Sequence, residues 1–235
     1  MAKGKPKYFV ADQSKLQQKL DELGTGTFFK PKEGKNTVRI LPPWSDSGLW
    51  YKEATMHYGL ANLEGKERAQ PCLKMFGNAC PVCEARMELE KGTQEDKKAA
   101  DRIRPRTKYY TNILEGKSGK VMIWGFTPKT LGILLSYCSD PDYGDISHPE
   151  EGFDVVIERQ GTTRTDTKYQ IRLRPKATAI EVEGWDAQMH NLDAEVVDEM
   201  EYDELLSIVE SNFGTVKATN PKEGEETDDD DEDDD

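Results

Sequence analysis

One stretch of this 235-residue chain carries three of its four cysteines and one of its three histidines: His57, Cys72, Cys80 and Cys83. The last two are spaced as Cys80-Pro81-Val82-Cys83. A Cys-x2-Cys knuckle presents two thiolates from one tight turn, and His-Cys-Cys-Cys is a tetrahedral zinc set. Four protein ligands leave no open coordination position, which favours a metal-stapled binding module over a metalloenzyme. Pro81 suits the turn, and Gly77 and Asn78 relax the backbone where it reverses. Cys72 brings the third ligand from the preceding loop, and His57 the fourth from an earlier strand or loop. The alternative is three buried thiols and a solvated histidine. His148 and His190 lie in polar, loop-like sequence and read as non-ligands. Cys138 ends the apolar segment that begins at Leu131 and reads as a packed core thiol.

A staple of this kind lets a long insert stay folded inside another domain. The flanking sequence reads as that domain. Thr37-Val38-Arg39-Ile40-Leu41 alternates as a half-buried strand and is ended by Pro42-Pro43. Helices are expected over Pro81–Lys91 and, capped by Thr93, to about Ile103 before Pro105. Lys108–Leu114 and Val121–Phe126 read as a hairpin. Thr127-Pro128 opens a helix to about Cys138. Phe153–Arg159 and Thr167–Arg174 form a second hairpin. Strand, metal insert, two strands, helix, two strands is the order of a five-stranded OB-fold barrel. The expected fold is therefore mainly β: an OB-fold barrel with an inserted zinc subdomain. Its parts are a basic segment over 1–25 with a short helix carrying Leu16, Leu20 and Leu23, and a core over 26–192 with the insert at about 50–104. A partly helical acidic segment follows over 193–214, with Leu206, Val209 and Phe213 on one side, and an acidic tail over 215–235 too charged to bury a core.

Charge separates along the chain. Residues 193–235 hold 19 acidic and two basic residues, whereas 1–192 hold 26 acidic and 30 basic ones. The net charge of −13 thus divides into +4 on the body and −17 at the end, and a basic body points to a polyanionic partner. No apolar run is long enough to cross a bilayer and no secretory signal is evident, so a soluble, cytosolic protein with reduced cysteines is expected.

Cations and aromatic residues interleave on the expected strands. Arg102, Arg104, Arg106 and Lys108 lead into Tyr109-Tyr110, with Trp124 on the next strand. Arg159, Lys168, Arg172 and Arg174 populate the second hairpin, and Lys30, Lys35 and Arg39 the first strand and its approach. Single-stranded nucleic acid is held in this way: cations track the phosphates and aromatic faces stack the bases. The competing reading places Tyr109, Tyr110, Trp124 and Phe126 in the core. The acidic tail, in turn, reads as a solubilising appendage, as a mimic of nucleic acid competing for the groove, or as a lure for basic partner proteins.

Lys35-Asn36-Thr37-Val38-Arg39-Ile40-Leu41-Pro42, a histidine, a lone cysteine and a Cys-x2-Cys, then Tyr109-Tyr110-Thr111-Asn112 and an all-acid end together resemble the T-even-type phage single-stranded DNA-binding (helix-destabilising) proteins. The resemblance spans roughly 28–185. It implies an OB-fold with one structural zinc held by His57, Cys72, Cys80 and Cys83. It further implies coating of single-stranded DNA during replication, recombination and repair in the cytoplasm of an infected bacterium. Replication and recombination proteins would be engaged through the tail, and neighbours along DNA through the basic N-terminus, where Lys3, Lys5 and Lys7 stand.

Two other classes compete. A zinc deaminase places a Glu two residues after its ligand histidine and a Pro before its Cys-x-x-Cys; here Gly59 and Ala79 stand at those positions. A nuclease would need paired carboxylates or a second histidine beside the cysteines. A protein–protein adaptor would use the zinc module and the tail alone.

Overall fold

In the computed structural model, residues 27–161, 163, 166–197 and 199–214 are described. The expected N-terminal helix and the acidic tail over 215–235 lie outside them. The chain divides into two compact units: 27–52 with Tyr109–Glu195, and Glu53–Lys108 with 196–214.

The first unit is a mixed, open sheet of six strands in the order β1-β6-β5-β2-β7-β8. The strands are β1 (Phe28–Phe29), β2 (Gly34–Ile40), β5 (Arg106–Glu115), β6 (Val121–Phe126), β7 (Phe153–Gln160) and β8 (Lys168–Ala177). β1 is parallel to β6, and the other neighbours are antiparallel. β2 alternates as its sequence demands, with Val38 and Ile40 entering the core beside Ile113, Val155 and Ile157. The turn before it is tied by Asn36. Its side-chain amide donates to Lys32 O (2.7 Å) while its oxygen accepts from Lys32 N (3.0 Å). Gly34 supplies the left-handed φ of 86° there. Helix α3 (Pro128–Cys138) closes the inner face with Leu131 and Leu134. Cys138, half-buried, packs against this core as expected, and burial pushes its thiol pKa up.

The expected closed barrel of five strands is corrected. Among the described residues β1 and β8 stand at opposite ends of the sheet path, with no pairing between them. The outer face is instead roofed by the chain that follows β8. Ile180, Val182, Trp185 and Met189 pack onto Leu41, Leu114 and Val121. Asn112, buried on β5, pairs with the backbone of His190 in both directions, at 2.9 and 3.0 Å.

The same roof takes Arg39 out of the surface. Its guanidinium donates to His148 O (2.9 Å), Thr178 O (2.6 Å) and Thr178 Oγ1 (3.1 Å), with Asp154 at 3.8 Å. Burial lowers its pKa, against the opposing pull of Asp154 and Asp145. Removing it would leave two carbonyls and a carboxylate without their cation. Arg39→Ala is therefore expected to cost about 3 kcal/mol of stability, read as a lower urea midpoint at unchanged slope. An unshifted midpoint would contradict this role.

The second unit is a β-hairpin under helices. β3 (Lys52–Ala61) pairs antiparallel with β4 (Glu67–Pro71), with a register shift between His57 and Leu60. Asn62 closes the turn by accepting from Lys66 N at 2.9 Å. A 3-10 turn, Leu73–Phe76, leads to α1 (Pro81–Leu89) and α2 (Gln94–Arg102). Thr93 caps α2 reciprocally with Asp96, whose carboxylate accepts from the Thr93 hydroxyl and backbone N–H and is thereby held below the usual range. The four-residue α4 (Leu192–Glu195) belongs to the first unit, but α5 (Tyr202–Phe213) returns to the second. Its buried residues are Leu205, Ile208 and Val209, sharing one core with Leu60, Leu73, Val82 and Ile103. Leu206 and Phe213, expected on the packed side, are only partly covered.

Candidate metal centre and nucleic-acid interface

Every ligand-bearing residue of the second unit sits where a bend or helix start places it. His57 projects inward from β3 and is fully buried. Cys72 follows β4, held by its N–H to Thr55 O at 2.9 Å, and precedes the 3-10 turn. That turn ends at Gly77, whose φ of 86° reverses the chain. Cys80, extended, is the N-cap of α1, Pro81 occupies its first position, and Cys83 lies in its first turn. A helix N-terminus favours negative charge and thus thiolate.

The four donor atoms lie within 4.8 Å of one another. His57 Nε2 is 3.5 Å from Cys80 Sγ and 3.6 Å from Cys83 Sγ, and Cys72 Sγ is 3.7 Å from Cys83 Sγ. Zinc–ligand bonds of tetrahedral geometry require edges of about 3.8 Å between sulfurs and about 3.6 Å between sulfur and nitrogen. The residues therefore fit a structural zinc. His57 Nδ1 is 2.7 Å from Ile103 O, so Nδ1–H donates there and Nε2 keeps its lone pair for the metal. Burial alone would lower the His57 pKa. In the metal-free site, hydrogen bonds with Cys72 and Cys80 overcome it and raise the value to about 9, so zinc binds by displacing that proton from Nε2. Hydrogen bonds from Cys72 and then Cys83 lower the Cys80 pKa despite burial, so Cys80 carries thiolate character. His148 and His190 are engaged elsewhere, with Glu150 and Glu151 N–H groups and with Glu195 respectively.

The residues expected to meet nucleic acid divide by burial. In the first unit Lys30, Lys35, Lys168, Arg172 and Arg174 are exposed, the last three on edge strand β8. Arg159 is half-buried and donates to Pro31 O at 3.0 Å. Trp124 is 3% exposed and packs on Phe126 in the core, so its expected surface role is corrected, as is that of Arg39. Tyr109 leans into the same core beside Tyr51 and Phe126. Tyr110, one residue on, is half-buried and meets Phe28 edge-to-face at 6.4 Å between centroids. In the second unit Arg102 and Arg104 are exposed, Arg104 lying 3.5 Å from Asp101. Arg106 and Lys108 are half-buried, with the Lys108 ammonium 5.2 Å from the Tyr58 ring centre.

Three positions on these strands stand out only in the structure. Phe28 is 41% exposed because strand alternation sends Phe29 inward, and Tyr169 on β8 is 50% exposed. Gly125 is the third. It pairs with Tyr110, and a Cβ there would lie 2.8 Å from Tyr110 Cε1. The missing side chain lets the ring lie across β6. A tyrosine facing a glycine across a predicted hairpin was the available signal.

A family model described as gp32 DNA binding protein like matches residues 32–216. No curated protein matches the chain.

Proposed function

Because the chain belongs to the gp32-like DNA-binding protein family, we propose that it coats single-stranded DNA, largely without regard to sequence, and catalyses no reaction. The observation that carries this reading is the Phe28–Tyr110 pair, two aromatic side chains on a sheet whose edge strand displays Lys168, Arg172 and Arg174. Aromatic rings accept any base by stacking, and cations track its phosphates. In this reading Tyr109, Arg159, Lys30 and Lys35 add contacts from the first unit, and Arg102, Arg104, Arg106 and Lys108 make contacts of their own from the second. The zinc holds the second unit in shape through His57, Cys72, Cys80 and Cys83 and has no vacant position for substrate. The order of β2, β5, β6, α3, β7 and β8 supports an opened OB-type sheet carrying the metal unit as an insertion. The service performed is protection of single strands in phage DNA replication, recombination and repair. The acidic tail competes for the strand and recruits partner proteins, and the basic N-terminus links neighbours.

Oligo-dT is expected to bind more tightly than duplex of the same length, with affinity falling steeply with salt as each neutralised phosphate releases counterions. A chain ending at Gly214 is expected to bind more tightly still, most at low salt, having lost its competitor. Fluorescence titration at two salt concentrations reads both effects. Equal or tighter binding to duplex sinks the first, and an unchanged affinity after truncation sinks the second.

A further inference from the structure

Away from the metal centre and the aromatic pair, one cationic cradle is filled by an acid of the chain itself. Trp44 follows β2 and Lys52 opens β3, and both reach a single carboxylate. Lys52 Nζ stands 2.5 Å from Asp193 Oδ1, and Trp44 Nε1 donates to Asp193 Oδ2 at 3.0 Å. All three residues belong to the first unit. An ammonium and an indole N–H converging on separate oxygens suit a phosphodiester as well as a carboxylate, since both present two acceptor oxygens sharing one charge.

The contact is built to be exchanged. The Lys52 and Asp193 side chains are 33% and 50% exposed, and a solvated ion pair contributes only ~0–1 kcal/mol. Asp193 is not what seats its own segment. Leu192 is fully buried, and Asn112 holds the His190 backbone from both sides. The backbone over 190–195 therefore keeps its place when the Asp193 side chain swings out. The hydrogen bond from Lys52 holds the Asp193 carboxyl below the usual range, so the occupant is an anion.

We propose that Lys52 and Trp44 form a phosphate subsite for single-stranded nucleic acid, which Asp193 fills until the strand displaces it. The subsite rests on the single-strand reading above and adds a second intramolecular competitor, inside the folded body and separate from the tail.

Oligo-dT titrated into the full-length protein and its variants at two salt concentrations tests it. Asp193→Asn is expected to bind about two- to fivefold tighter, the range that an exposed ion pair supplies. Lys52→Gln should bind about two- to fivefold weaker, with a salt slope shallower by about 0.7, the share of one single-strand phosphate. Combining the two should bind no tighter than Lys52→Gln alone. Asp186→Asn, which removes one exposed charge from the same unit, should gain clearly less than Asp193→Asn. The Trp44 indole N–H resonance should shift when oligo-dT is added. Equal gains from Asp186→Asn and Asp193→Asn, a gain that survives the loss of Lys52, or an unmoved Trp44 resonance overturns the subsite. Failure of the unaltered protein to bind oligo-dT overturns the single-strand reading itself, and the subsite with it.

Discussion

Cys80→Ser is expected to unfold the second unit and leave the first standing. Structural zinc in small modules contributes on the order of 10 kcal/mol of folding free energy, as much as the whole stability of an ordinary domain, about 5–15 kcal/mol. The second unit has little to set against that loss. Its core is built around the ligands, because Cys72, Cys80 and Cys83 are themselves core members beside Leu60, Leu73, Val82 and Ile103. Helix α5 belongs to the same core through Leu205, Ile208 and Val209, and is pinned by Tyr202 Oη to Glu84 (2.8 Å) and by Asn212 to both backbone groups of Ala61 (2.8 and 3.0 Å). Amide hydrogen exchange should therefore lose protection at Leu60, Ile103, Leu205, Ile208 and Val209 together, while Val38, Ile113 and Val155 keep theirs. Elemental analysis should find one zinc per unaltered chain and near zero in the variant. Retention should weaken as pH falls, because all four ligands bind zinc only when deprotonated. Retained protection across α5 in a zinc-free variant would show that the metal is not what holds this unit.

The metal set was legible because ligand chemistry is a property of residue type: few roles other than a zinc site gather three cysteines and a histidine over residues 57–83. The hairpin carrying His57 was not. In β3 the buried residues are Ala54, His57 and Leu60, every third position, and the register shifts between the last two. A search for period-two alternation passes over such a strand. Strands β2, β5, β6, β7 and β8 and helices α1, α2 and α3 showed themselves through alternation, proline and caps. What covers a strand's far face cannot be read from the strand. Arg39 alternates outward, as expected of a phosphate contact, but Thr178 and His148 come from 139 and 109 residues away to enclose it. Trp124 fails for the same reason. The partner of α5 was hidden likewise, since Asn212 and Ala61 are 151 residues apart.

Loss of the Phe28 or Tyr110 ring is expected to weaken single-strand binding by about 1–3 kcal/mol each, the worth of one stacked base. Phe28→Ala also removes an edge-to-face contact, worth about 0.5–1.5 kcal/mol to the fold, so affinity must be compared among variants shown to be folded. Gly125→Val separates the ring from its placement. The nearest atoms to a Cβ at that position all belong to the Tyr110 ring, and the φ of Gly125 is one that any residue adopts. Valine suits a strand better than glycine does, so the sheet should hold while the tyrosine is pushed off β6. If stacking requires that placement, Gly125→Val should lose affinity for oligo-dT nearly as far as Tyr110→Ala, with an unchanged salt slope, because no phosphate contact is touched. Gly125→Ser makes the same demand with a smaller side chain and should fall between. A Gly125→Val protein that binds like the unaltered one would mean that Tyr110 serves the sheet and not the strand it is proposed to hold. A salt slope that flattens with the Tyr110→Ala substitution would mean that the ring acts by positioning cations.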